Sequence, residues 1–159
     1  MLHQILQTDD AKTTILIRLM VGSVFLSEGI QKFLYAAQRG MGRFESMGFP
    51  APEFFGYFVG VFEILAGLLI LAGLFTRIGA LTTFFIMTVA IIVTKIPIAF
   101  GESFGPFVLR DLSTYGFWSM AHEMRTDWAM WLGSLFLVIE GGGKWSLDLE
   151  LFLTEEKKL

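Results

Sequence analysis

Three stretches of this chain, about residues 13–34, 54–75 and 78–100, are each some twenty residues long and largely apolar. That length matches the roughly 30 Å hydrocarbon core of a bilayer when it is crossed by an α-helix. Within lipid a segment has to satisfy its own backbone N–H and C=O groups, which makes apolar runs of this length helical. A fourth run, Trp128 to Ile139, is shorter, but it is nearly unbroken and the glycines Gly141 to Gly143 give it a C-terminal stop. The expected fold class is therefore all-α, a four-transmembrane-helix antiparallel bundle. Its helices fall at about 13–34, 54–75, 78–100 and 127–143, and residues 1–159 form a single integral membrane domain.

Composition agrees. At 54% hydrophobic residues and a mean hydropathy of +0.63, the chain exceeds the roughly 45–50% apolar content of soluble domains, so the lipid bilayer is its first partner. A net charge of −3 offers no basic field for phosphate backbones, and nucleic acid is not expected as a partner. With no cysteine, disulfide relays, iron–sulfur clusters and thiolate metal sites have no ligands.

The connections set the topology. Only Thr76 and Arg77 separate the second and third apolar runs, which predicts a tight hairpin of neighbouring helices. Residues 35–53, with Arg39, Arg43, Pro50 and Pro52, read as a sizeable loop, since proline biases the preceding residue away from helix. Residues 101–126 mix Trp118 with charges and read as an interfacial segment, a partial lid. Polar Met1 to Lys12 is followed by an apolar run with no small-residue cleavage site, which is not the pattern of a signal peptide. Four spans place Lys12, Arg77, Lys144, Lys157 and Lys158 on the face of the termini, against Arg39, Arg43, Arg110 and Arg125 on the other. By a narrow margin the positive-inside rule favours cytoplasmic termini.

Charges inside the spans are the candidates for function, because one at the bilayer centre costs about 2.5–3.5 kcal/mol or more. Glu63 is the sharpest case, roughly 14 Å along the second helix at about 1.5 Å per residue. Gly56, Gly60 and Gly67 fall on its face, so Glu63 is expected to face protein, either as a packing anchor or as a group that handles protons or binds a ligand. The glycine stripe suits packing within the chain or a homo-oligomer equally. On the first helix Glu28 and Lys32 stand four apart, able to pair, with Arg18 on the same stripe but nearer the opposite end, where it marks the other membrane face with Arg77 and Glu140. Antiparallel directions bring Glu28, Lys32, Lys95, His122, Glu123, Arg125 and Asp127 to one membrane face above Glu63. The reading is a polar vestibule over a buried carboxyl, or a set of charges that only line the interface. His122 is the one histidine near the spans, since His3 lies in the polar N-terminal segment. A bis-histidine haem is disfavoured on that count, no flavin motif is visible, and the spacing of His122, Glu123 and Asp127 matches no strong metal-ligand pattern.

The run RLMVGSVFLSEGIQKFLY from Arg18, the stretch GFPAPEFFGYFVGVFEILAGLLILAGLFTR from Gly48, and the ending GGGKWSLD from Gly141 closely resemble the DoxX family. The most specific parts are Gly29 with Lys32, Pro50 with Pro52, Glu63, the Thr76–Arg77 turn, and Ser146 with Asp148. GFWSMAHEMRTDWAMWLGSLFLVIEG is similar to a bacterial subgroup. The resemblance implies a bacterial inner-membrane protein of four helices, with relatives among the membrane subunits of thiosulfate:quinone oxidoreductases and the partners of oxidative-stress complexes. Together with the buried carboxyl, it points to a subunit of a quinone-linked redox system beside a redox-enzyme partner. In that reading Glu63 and His122 handle protons, and Arg18 or Lys32 steadies a polar head group. The alternative is a non-catalytic small-solute carrier or an assembly scaffold.

Overall fold

The computed structural model describes residues 11–156 of the chain. His3, Lys157 and Lys158 lie outside them. Helix α1 spans Thr14–Leu34, the short helices α2 and α3 span Ala36–Arg39 and Met41–Ser46, and α4 spans Pro52–Ala72. Helix α5, Thr76–Ala90, runs through a π-helical turn, Ile91–Lys95, into α6, Ile96–Phe100. Helix α7 spans Phe117–Glu140 and α8 spans Leu147–Glu156. Three helical segments, Thr14–Leu34, Pro52–Ala72 and Thr76–Phe100, are long and apolar enough to cross a membrane.

Four long helices run antiparallel in sequence, α1 packing on α4 and α5 on α7. Glycines let α1 and α4 approach closely. A Cβ on Gly67 would stand 2.7 Å from the Leu26 nitrogen and 2.9 Å from the Gly22 carbonyl oxygen, and one on Gly29 would stand 2.8 Å from the Gly60 carbonyl oxygen. The small-residue stripe is thus used inside the chain. Gly67→Ala should force the two backbones apart and cost about 1–3 kcal/mol, read as a lower melting temperature of the detergent-solubilised protein. Between α5 and α7 the contact is partly polar: Thr83 and Ser134 share a hydrogen bond of 2.8 Å, and Trp131 Nε1 donates to Thr88 Oγ1 at 2.9 Å. Val21, Phe25, Ile70, Ala80, Met130 and Leu137 form the buried core between the two helix pairs.

Several sequence expectations shift. The α4–α5 turn is Gly73 to Phe75, and Thr76 and Arg77 already belong to α5. Gly73, at φ 68°, ends α4 with its N–H on the Ile70 carbonyl while Leu74 N–H reaches the Leu69 carbonyl, the paired bonds that close a helix in a left-handed cap. The expected loop 35–53 folds in part into α2 and α3. Helix α7 begins ten residues before Asp127, so His122, Glu123 and Arg125 sit on helix rather than in a loop. The segment after Trp145 is the helix α8. The π turn precedes Pro97, which has no N–H for the carbonyl four residues back and crowds it with its ring. Widening the helix there relieves that crowding.

Candidate functional site

A cavity of about 730 Å³ opens at the end of the bundle where α1 stops and α4 begins. Glu28, Lys32, Glu63, Lys95, Glu123, Arg125 and Asp127 all line it, so the vestibule expected over a buried carboxyl is one continuous space. Below its charged mouth the walls are aromatic and aliphatic, with Phe25, Phe44, Phe58, Ile86 and Met130 among them.

At the floor Lys32 Nζ donates to Glu63 Oε2 at 2.6 Å, and the side chains are 11% and 5% exposed. The close α1–α4 approach through Gly29 and Gly60 brings them together. This corrects the expected pairing of Glu28 with Lys32. Glu28 turns instead to Arg39, 3.9 Å away, where both side chains are close to half exposed. Nearer the mouth, Lys95 on the π turn lies 3.4 Å from Asp127 of α7. Arg110, from the 101–116 connection, lies 2.8 Å from Glu123.

That connection lies over the mouth. Val108 N–H donates to the Met47 carbonyl at 3.0 Å, and the Phe107 ring stands 4.7 Å from Phe49, a cavity residue. Arg43 and Arg110 line the cavity as well. In sequence they register only as loop charges, because nothing local shows that α3 and the 101–116 connection fold back over the same opening.

Two of the expected site residues are elsewhere. His122 is exposed on α7 and is not among the cavity residues; its carbonyl accepts a hydrogen bond from Arg125. Arg18 lies at the opposite end of the bundle, 2% exposed, where it donates to the carbonyls of Ile70, Leu71, Gly142 and Trp145. There it closes helix ends and touches none of the cavity groups. Among the described residues no three His, Asp or Glu side chains are gathered closely enough to hold a metal ion.

The profile of the DoxX family matches residues 13–96, more than half of the chain. The chain belongs to the DoxX family. It is 47% identical over 148 residues to the uncharacterized membrane protein Rv3486 of Mycobacterium tuberculosis strain H37Rv, an alignment covering 93% of this chain and 86% of that relative. No solved structure matches it. The DoxX match spans α1 to the start of α6 and so contains Lys32, Glu63 and Lys95; the carboxylates that α7 contributes lie beyond it.

Proposed function

We propose that this DoxX-family membrane protein is a subunit of a quinone-linked redox system that binds a quinone ring in the cavity and manages its protons at the Lys32–Glu63 pair. The observation that carries this reading is an ion pair of 2.6 Å, nearly closed to solvent, at the floor of an apolar, aromatic-walled cavity. A quinone, when bound, supplies two-electron chemistry in which its two carbonyl oxygens each take up a proton. The residues fit such a ring. Lys32 Nζ can donate to a carbonyl oxygen, Glu63 can accept from a hydroxyl, and the surrounding Phe and Met side chains exclude water, which strengthens both interactions. The chain offers no electron carrier of its own among its motifs, so the electrons come from a partner enzyme.

In this reading α7 is a fourth crossing. Its 24 residues span about 36 Å at 1.5 Å per residue, and its charged first half turns Glu123, Arg125 and Asp127 to the cavity. The bundle sits in the bacterial inner membrane with its termini cytoplasmic, the side with more lysine and arginine.

Binding of decylubiquinone to the purified protein tests the function. Wild type should bind it, and Lys32→Met/Glu63→Leu should bind at least about tenfold more weakly, a loss of about 1.4 kcal/mol, while eluting as the same monodisperse species. Failure of wild type to bind, or equal binding by both proteins, overturns the reading and leaves the carrier or scaffold alternative.

A further inference from the structure

The charges at the cavity mouth do not balance. Lys32, Lys95 and Arg110 each have their own carboxylate, in Glu63, Asp127 and Glu123. Arg43 and Arg125 also line the cavity, yet among the described residues neither is ion-paired. Arg125 donates only to the carbonyl of His122 in its own helix. The remaining acid, Glu28, has Arg39 beside it. Two guanidinium groups, one from α3 and one from α7, thus face the opening without an ion-pair partner, Arg43 acting on Glu63 only as a more distant charge.

The cavity also has an apolar flank. Phe58 of α4 and Phe85 and Val89 of α5 line it while remaining 46%, 59% and 51% exposed on the outside of the bundle. Helices α4 and α5 meet at their tight turn, but beyond it α4 stays with α1 and the π turn and α6 stay with α7. The two helices of the hairpin therefore part toward the mouth, and the cavity reaches the lipid-facing surface between them. A soluble anion would use only the arginines, and a neutral hydrophobe only the flank. A molecule with an anionic head and an apolar chain uses both.

We propose that the cavity takes an anionic lipid from the bilayer, its phosphate or carboxylate head between Arg43 and Arg125 and its chain in the gap between α4 and α5. Guanidinium groups suit this role because their planar forks match the oxygens of phosphate and carboxylate in two-point hydrogen bonds. The inference concerns the mouth and flank, not the Lys32–Glu63 floor, and does not rest on quinone binding.

Native mass spectrometry of the detergent-solubilised protein with added dioleoyl phosphatidic acid or dioleoyl phosphatidylcholine tests it. Wild type should retain one phosphatidic acid at least about tenfold more tightly than phosphatidylcholine. Arg43→Gln/Arg125→Gln should lose that preference, Arg43→Lys/Arg125→Lys should keep part of it, and Lys12→Gln/Lys144→Gln, with two charges removed at the other end, should keep it whole. Phe58→Trp/Val89→Trp, filling the gap, should weaken lipid retention. Equal retention of the two lipids by wild type, or an undiminished preference in the glutamine variant, overturns the proposal. So does full displacement of the lipid by inorganic phosphate, which would make the ligand a soluble anion. Decylubiquinone binding measured on the same proteins reports separately on the floor.

Discussion

Arg18→Met should lower the melting temperature of the detergent-solubilised protein by about 10–20 °C. Arg18 is buried, and its guanidinium donates to four carbonyls: Ile70 at 2.8 Å, Leu71 at 2.7 Å, Gly142 at 3.1 Å and Trp145 at 2.5 Å. The last carbonyls of any helix lack partners within it, and here a cation from α1 satisfies two at the end of α4, where it also meets the negative end of the helix dipole. The start of α5 is closed by the opposite charge. The Asp148 carboxylate, from α8, accepts from Phe75 N–H at 2.6 Å and Thr76 N–H at 2.9 Å. It thereby holds Phe75 at φ 47°, a left-handed conformation that costs a bulky residue about 1–3 kcal/mol. A turn of three residues thus has an arginine capping the helix that enters it and an aspartate capping the helix that leaves. Methionine would remove bonds from a charged donor worth about 1.5–3 kcal/mol each, though the Ile70 carbonyl keeps its bond from Gly73 N–H. After partial relaxation a loss on the order of 5 kcal/mol remains, and about 2–4 °C per kcal/mol applies to a chain of this size. Asp148→Ala should act on the same unit, so the double variant should lose less than the sum of the two. Quinone or lipid binding lost without any change in melting would instead return Arg18 to the ligand-binding role its stripe position suggested.

Arg18 also marks how far the sequence can be read. Apolar length alone located α1, α4 and α5, since few other structures suit such runs. The glycines on the face of Glu63 correctly turned it inward, and antiparallel directions gathered seven of the expected residues at one cavity. What failed depended on contacts between helices. The rule that residues four apart interact sees only one helix, so it paired Lys32 with Glu28, whereas the closer neighbour comes from α4 across the glycine contact. Arg18 stands at the opposite end of the stripe from Lys32, as its position in the sequence requires, but nothing within α1 shows that its guanidinium is taken up by the carbonyls of Ile70, Leu71, Gly142 and Trp145. The start of α7 does not show as a continuous apolar run because His122, Glu123 and Arg125 interrupt it, although Phe117, Met120, Ala121 and Met124 recur at helical spacing; in the structure its charges are drawn to the cavity and to Arg110, a loop residue with no local signature. The Gly73–Phe75 turn starts three residues before the expected one at Thr76, because Leu74 and Phe75 continue the apolar run although Gly73 already provides the left-handed cap.

Lys32 and Glu63 should behave as one unit in stability and as two necessary parts in binding. Removing either charge leaves the other nearly buried, and breaking such a pair costs about 3–5 kcal/mol. Lys32→Met and Glu63→Leu should each lower the melting temperature by roughly 6–20 °C on the scale above. The double variant replaces the pair by apolar groups, and pairs exchanged in this way are often neutral or better, because two ions no longer have to leave water. It should therefore melt close to wild type or above it, a coupling of several kcal/mol in a thermodynamic cycle measured by thermal unfolding in detergent. A pair kept only to hold α1 against α4 would then be dispensable, and the double variant should retain every ligand wild type binds. If it melts like wild type but no longer binds decylubiquinone, the ions are retained at a cost in stability for what they do to a ring beside them. If it remains as unstable as the single variants, the pair anchors the bundle, and the proton-handling role loses the observation that carries it.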